Sequence, residues 1–135
     1  MSPFRRHRAN RHGGDPIRVA MIGQYGIPAS YGGVERVVEE LGAELAERGV
    51  DVTVYCSRTD PPPPDSYRGM RLRTVRELGG KHTAKLTQSG FAALDAVRRD
   101  YDLVHFHATG PCLFTPLVRV LRPRMRVVAT IHARD

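Results

Sequence analysis

The chain has 135 residues, 41% hydrophobic and 26% charged, with a formal net charge of +7 at pH 7. That length buries one modest core, so a single domain is expected, and the composition is ordinary for a globular protein. It excludes a transmembrane helix, since no apolar run reaches about 18 residues, and a disulfide or metal framework, since Cys56 and Cys112 stand alone.

The arginine-bearing N-terminus lacks the apolar stretch of a secretory signal, and the lone cysteines fit a reduced, cytoplasmic setting. Residues 1–16 set Arg5, Arg6, Arg8 and Arg11 against Asp15 without any apolar pattern. They end in Gly13-Gly14-Asp15-Pro16 and read as a disordered basic tail.

From Ile17 to Leu45 the sequence reads as a strand, a glycine-bearing loop and an amphipathic helix. Ile17, Val19, Ala20, Met21 and Ile22, broken only by Arg18, suit a strand covered on both faces. Val34, Val37, Val38, Leu41 and Leu45 then recur at helical spacing, with Arg36, Glu40, Glu44, Glu47 and Arg48 on the other side. Gly23, Gly26, Gly32 and Gly33 lie between. Free N–H groups at a helix start, with no Cβ in the way, seat a phosphate or another anion. This βα unit is therefore a candidate nucleotide-binding crevice. The glycines are also compatible with turn chemistry alone, and Glu35, at N3 if Gly32 is the N-cap, with a capping role. Neither the P-loop pattern nor the dinucleotide fingerprint GxGxxG is present. Arg58, after the second strand, keeps an NADP-binding alternative open through contact with a 2′-phosphate.

Gly49 ends the helix, and Val52 to Cys56 forms a second strand. Pro61-Pro62-Pro63-Pro64 makes residues 57–67 a stiff extended loop. Met70 to Val75 alternates as MRLRTV, a third strand with Arg71 and Arg73 on its polar side. A loop around Gly79-Gly80 runs from Leu78 to Thr83, and a helix from Leu86 to Arg99 is expected to pack Leu86, Gly90, Leu94 and Val97. Leu103 to Phe106 and Val127 to Ile131 complete about five strands. Between them Pro116 sits either in the first turn of a helix or at a kink in one that begins near Pro111. The alternation predicts an α/β fold: a doubly wound parallel sheet with flanking helices.

In such sheets ligands bind outside the carboxyl ends of the strands. That rule marks the glycine loop, His105-Phe106-His107 and His132-Ala133-Arg134-Asp135. The two histidines are expected on opposite sides of the sheet, or with one past the strand end. No carboxylate or thiol accompanies them, so no metal is expected. His105 fits a satisfied buried histidine, while for His107 a ligand contact and a structural role stay equally open. Arg68, Arg71, Arg73, Arg76, Lys81 and Lys85, against Glu77, form a basic stretch suited to an anionic lipid or glycan. Without interleaved aromatics, nucleic acid is not an expected partner.

The combination of GQYGIPASYGGVERVVEEL, DVTVYC, DLVHFHATGP and TIHARD resembles the N-terminal domain of GT-B glycosyltransferases of family 4, most of all a rhamnosyltransferase-like bacterial branch. The similarity covers Ile17 to Asp135 and rests chiefly on the long glycine loop followed by GGVE. The resemblance implies a Rossmann-like fold and retaining transfer of a sugar from a nucleotide-sugar to a saccharide or lipid-linked acceptor, as in cell-wall or polysaccharide biosynthesis. It implies no metal or other cofactor, and a cleft between two such domains. By the same resemblance Gly32 and Gly33 approach the donor diphosphate, and His107 lies at the donor sugar and reacting centre. His132 and Tyr31 line the cleft or meet the acceptor, and the basic face allows a cytoplasmic enzyme peripheral contact with an anionic membrane.

The family's E-x7-E carboxylates and second, donor-binding domain have no counterpart here, and Ala133 replaces its usual glycine. Residues 17–135 are therefore expected to form an incomplete N-terminal half that is inactive alone. Two alternatives remain: a non-catalytic module for anionic lipid or glycan on Arg68 to Lys85, and an NADP-dependent oxidoreductase using Arg58.

Overall fold

A computed structural model describes residues 15–23, 33–59, 62–107 and 113–131, the side chains of Val34, Lys81 and His82 excepted. The basic tail, apart from Asp15 and Pro16, lies outside the described residues. Along the chain come β1 (Arg18–Ile22), α1 (Gly33–Glu47), β2 (Asp51–Ser57), β3 (Ser66–Tyr67) and β4 (Met70–Val75). Then follow α2 (Lys81–Val97), β5 (Leu103–His107), α3 (Thr115–Leu121) and β6 (Arg126–Thr130).

The strands form one six-stranded sheet in the order β3-β4-β2-β1-β5-β6. Every neighbouring pair is parallel except the β3–β4 hairpin. Without β3 this is the doubly wound order: the chain leaves β1 on one side for β2 and β4, then returns to the other side for β5 and β6. The fold is thus the expected Rossmann-like α/β sheet, with one strand more than the sequence suggests. β3 has only 2 residues, too few for alternation to announce it. Its turn, Arg68-Gly69, holds both φ angles positive, at 49° and 83°. That sign pattern matches the right-handed twist of a two-residue hairpin.

Helices cover both faces of the sheet. On one, Val38 and Ala43 of α1 pack on Val19, Met21, Val54 and Met70. On the other, Ala92, Ala93 and Ala96 of α2 and Val118 of α3 pack on Ala20, Ile22, Val104 and Phe106. Successive residues of β1 serve opposite cores, which is why the strand is apolar from Val19 to Ile22. Each large aliphatic side chain buried this way contributes about 1.5–3 kcal/mol.

Two helical faces differ from expectation. α2 begins at Lys81 rather than Leu86. It turns Ala92, Ala93, Ala96 and Val97 inward and leaves Leu86 and Leu94 at 37% and 40% exposure. Small residues let this helix lie close to its neighbours, and Gly90 sits against the Phe114 ring at the start of α3. Leucine spacing alone therefore picks the wrong stripe. On α1, Val37 is exposed while Gly42 and Ala43 are buried, Gly42 facing the Met70 thioether. In α3, Pro116 occupies the first turn, where its missing N–H costs nothing.

Two charged clusters tie the layers together. The Asp95 carboxylate accepts hydrogen bonds from Tyr55 Oη (2.6 Å), Arg73 Nε (2.7 Å) and Arg99 Nε (2.9 Å). Burial alone would push Asp95 up, but the hydrogen bonds from Tyr55, Arg73 and Arg99 outweigh it and hold the carboxyl below its usual range. Burial first, then the neighbouring Tyr101 and Asp95, pushes the Tyr55 hydroxyl far up. Arg73, expected on an outer polar side, is instead pinned between β4 and α2. Arg122, itself buried, donates Nη1 to the carbonyls of Val97 (2.9 Å) and Arg99 (3.4 Å) and so closes the C-terminus of α2.

Candidate functional site

The strand order reverses between β1 and β5, the position where open α/β sheets form a crevice. Ile22, the last residue of β1, pairs in register with Phe106, and β5 ends one residue later at His107. Gly23 then turns away with φ +130°, a conformation that side chains resist. A Cβ there would stand 2.9 Å from the carbonyl carbon of His107 and 3.1 Å from its nitrogen, and nearer still to the oxygen. The two strand ends meet backbone to backbone, and only glycine fits between them.

Val104 and Phe106 point into the core beneath α2, so Leu103, His105 and His107 point to the α1 face. The His107 side chain is fully buried. The imidazoles of His105 and His107 stack, with ring centroids 3.9 Å apart and planes 28° from parallel. This corrects the expectation of opposite sides: residues i and i+2 of a strand share a face, and only Phe106 between them points away. His105 Nε2 lies 2.7 Å from Thr130 Oγ1 of β6. Thr130 is also the residue opposite His107 in the β5–β6 register.

α1 covers this same face, and Gly33 is its exposed first residue at the carboxyl end of the sheet. Among the described residues, no heavy atom lies within 4 Å of the Cβ that Gly33 lacks. Glu35 is the acid of the first turn of α1. Tyr31, Gly32 and His132 lie outside the described residues. Two of the expected site residues, His107 and Gly33, therefore share one face and one end of the sheet.

Several polar groups at strand ends escaped sequence reasoning. Ser57, buried at the end of β2, donates Oγ to Glu77 Oε2 just past β4 (2.8 Å). Thr130 is the last residue of β6. Their position at or just beyond the carboxyl end of a strand is the signal that finds them. The displaced pKa values of Tyr55, Arg73 and Asp95 belong instead to the ion-paired cluster between sheet and α2.

Three arginines of the basic stretch are ion-paired: Arg68 with Glu40 (3.0 Å), Arg71 with Asp51 (3.4 Å) and Arg73 with Asp95 (2.7 Å). Among the described residues no three His, Cys, Asp or Glu side chains group as metal ligands. Nor is any helix there long and apolar enough to cross a membrane.

A mostly parallel sheet in this order, with helices on both faces, is the architecture of a Rossmann-like half of a GT-B enzyme. The family model for Glycosyltransferase Family 4 matches residues 31–135, and the chain belongs to that family. Over 119 residues it is 25% identical to O-antigen chain mannosyltransferase C of Escherichia coli, covering 87% of this chain and 32% of that protein. Over 109 residues it is 32% identical to D-inositol 3-phosphate glycosyltransferase of Kineococcus radiotolerans, covering 67% of this chain and 25% of that one. The chain thus spans about a third and a quarter of the lengths of these two relatives.

Proposed function

We propose that residues 17–135 form the N-terminal half of a two-domain glycosyltransferase that moves a sugar, with retention, from a nucleotide-sugar to a saccharide or lipid-linked acceptor. The observation that carries this reading is the Gly23–His107 junction at the switch point, on the face where α1 opens with Gly33, in a member of Family 4. The second domain supplies most of the donor contacts, and neither half turns over alone.

Negative charge accumulates on the diphosphate as its bond to the sugar breaks. The N–H groups at the start of α1, reinforced by the helix dipole, receive that charge in this reading, with Gly33 opening the helix and Gly32 assigned by the family resemblance. No metal is needed for a leaving group held this way. His107, buried at the carboxyl end of β5 with its backbone beside Gly23, is the residue that the family resemblance assigns to the donor sugar. Tyr31 and His132 are assigned to the cleft or the acceptor by the family resemblance alone. The phosphate-bearing acceptor named in one relative fits this chemistry, but the donor sugar is selected by the second domain.

The test joins the chain to the donor-binding domain of a Family 4 member and measures sugar transfer from nucleotide-sugars. Gly33→Val, at a position where a Cβ meets no described neighbour within 4 Å, lowers turnover about 100-fold by obstructing the diphosphate, with circular dichroism checking that the variant is folded. Undiminished transfer in that variant would refute the site assignment. The NADP alternative gives way to the family match. The lipid or glycan module on Arg68 to Lys85 has less to stand on, because ion pairs hold Arg68, Arg71 and Arg73.

A further inference from the structure

We propose that His105 is a positioning residue for His107, and that Thr130 on the neighbouring strand fixes it. The inference rests on the reading of His107 as a site residue. Its physical basis is the softness of the imidazole torsion. A histidine χ2 is broad, so a strand backbone alone does not fix the plane of the ring. His107 is the last residue of β5.

The His105 ring lies flat against it at a centroid distance of 3.9 Å and an angle of 28°. A plate on one side restricts rotation of the ring it touches, provided the plate itself is held. His105 is held: Thr130 Oγ1 lies 2.7 Å from Nε2, within hydrogen-bond reach. The hydroxyl both donates and accepts, so it serves either tautomer of His105. β6 completes the device, because Thr130 stands opposite His107 in register while its side chain reaches back to His105. A three-part chain runs from β6 through His105 to His107, the kind of supporting shell that a precise site requires.

Phenylalanine at position 105 would stack as well but could not be tied to Thr130. Valine at position 130 would keep the shape of threonine and lose only the hydroxyl. These two substitutions separate stacking from anchoring.

The experiment uses the full 135-residue chain with isotope-labelled histidine, and nuclear magnetic resonance of the imidazole nitrogens and ring protons. The expected parent spectrum has His107 ring-proton signals displaced by the ring current of the stacked His105. In Thr130→Val the His105 nitrogens lose their Thr130 partner and the His107 ring protons move back toward unstacked positions, and Thr130→Ser restores the parent pattern. Backbone amide signals of β2 and β4, far from β6, serve as the check that the variants are folded. A Thr130→Val spectrum in which His105 moves and His107 does not overturns the proposal.

Transfer by the chain joined to a donor domain separates this inference from the reading beneath it. About a tenfold loss of kcat in Thr130→Val, at unchanged donor KM and with recovery in Thr130→Ser, is the expected result. Inactive His107→Ala beside fully active Thr130→Val and His105→Phe would overturn the positioning role alone. Full activity in His107→Ala would overturn the site assignment itself, and with it any role for His105 in the reaction.

Discussion

Gly23→Ala is the sharpest test of how the crevice is built. The substitution imposes a side chain at φ +130°, which costs about 1–3 kcal/mol in backbone strain. The new methyl also meets the His107 peptide, 2.9 Å from its carbonyl carbon, where ordinary contacts are wider. Neither partner is a flexible side-chain end, so β1 and β5 must separate, an overpacking cost of about 1–3 kcal/mol more. Together these predict a loss of about 4 kcal/mol, a large share of the roughly 5–15 kcal/mol that stabilises a domain. In equilibrium urea unfolding followed by circular dichroism, this corresponds to a midpoint lower by about 2 M. Gly33→Ala is the paired control: its Cβ enters space open to 4 Å among the described residues, and it is expected to shift stability by no more than about 0.5 kcal/mol. The reasoning fails if Gly23→Ala stays within about 0.5 kcal/mol of the parent, or if the two variants lose equally.

Asp95→Ala removes a charge-assisted bond to the buried Tyr55 hydroxyl, about 1.5–3 kcal/mol, and two partly exposed ion pairs of about 0.2–1 kcal/mol each. A fall of about 2–4 kcal/mol in unfolding free energy is expected. A double-mutant cycle with Tyr55→Phe should return a coupling of about 1 kcal/mol or more, and additive losses would contradict the network. Because the folded pKa of Asp95 is lowered, its contribution is complete above the unfolded pKa of about 3.9. It is lost as the pH falls through the folded value, so an acid titration of stability should flatten when Asp95 is absent. Arg122→Met strips the Val97 carbonyl of its donor and should cost about 1.5–3 kcal/mol, with faster amide exchange confined at first to the last turn of α2. Unaltered exchange there would remove Arg122 as the cap.

The sequence by itself determined the layers. Val19 to Ile22 is apolar on every residue and Val52 to Cys56 carries only Thr53 as an exception, a pattern that suits strands buried on both faces, and two-sided burial requires helices between parallel strands. Gly33 at a helix start was legible for the same local reason, because glycine and helix periodicity are written in adjacent residues. What spacing could not supply was contact between distant segments. The inward face of α2 is alanine, not leucine, because the sheet and Phe114 leave little room, and room is a property of the assembled layers. Gly23 looked like one loop glycine among several until β5 arrived beside it, 84 residues further along the chain, to place the His107 peptide against its Cα. The stacking of His105 on His107 follows from period-two alternation, but the hydroxyl that anchors it comes from β6. Only the register of two strands joined through α3 brings Thr130 to that ring.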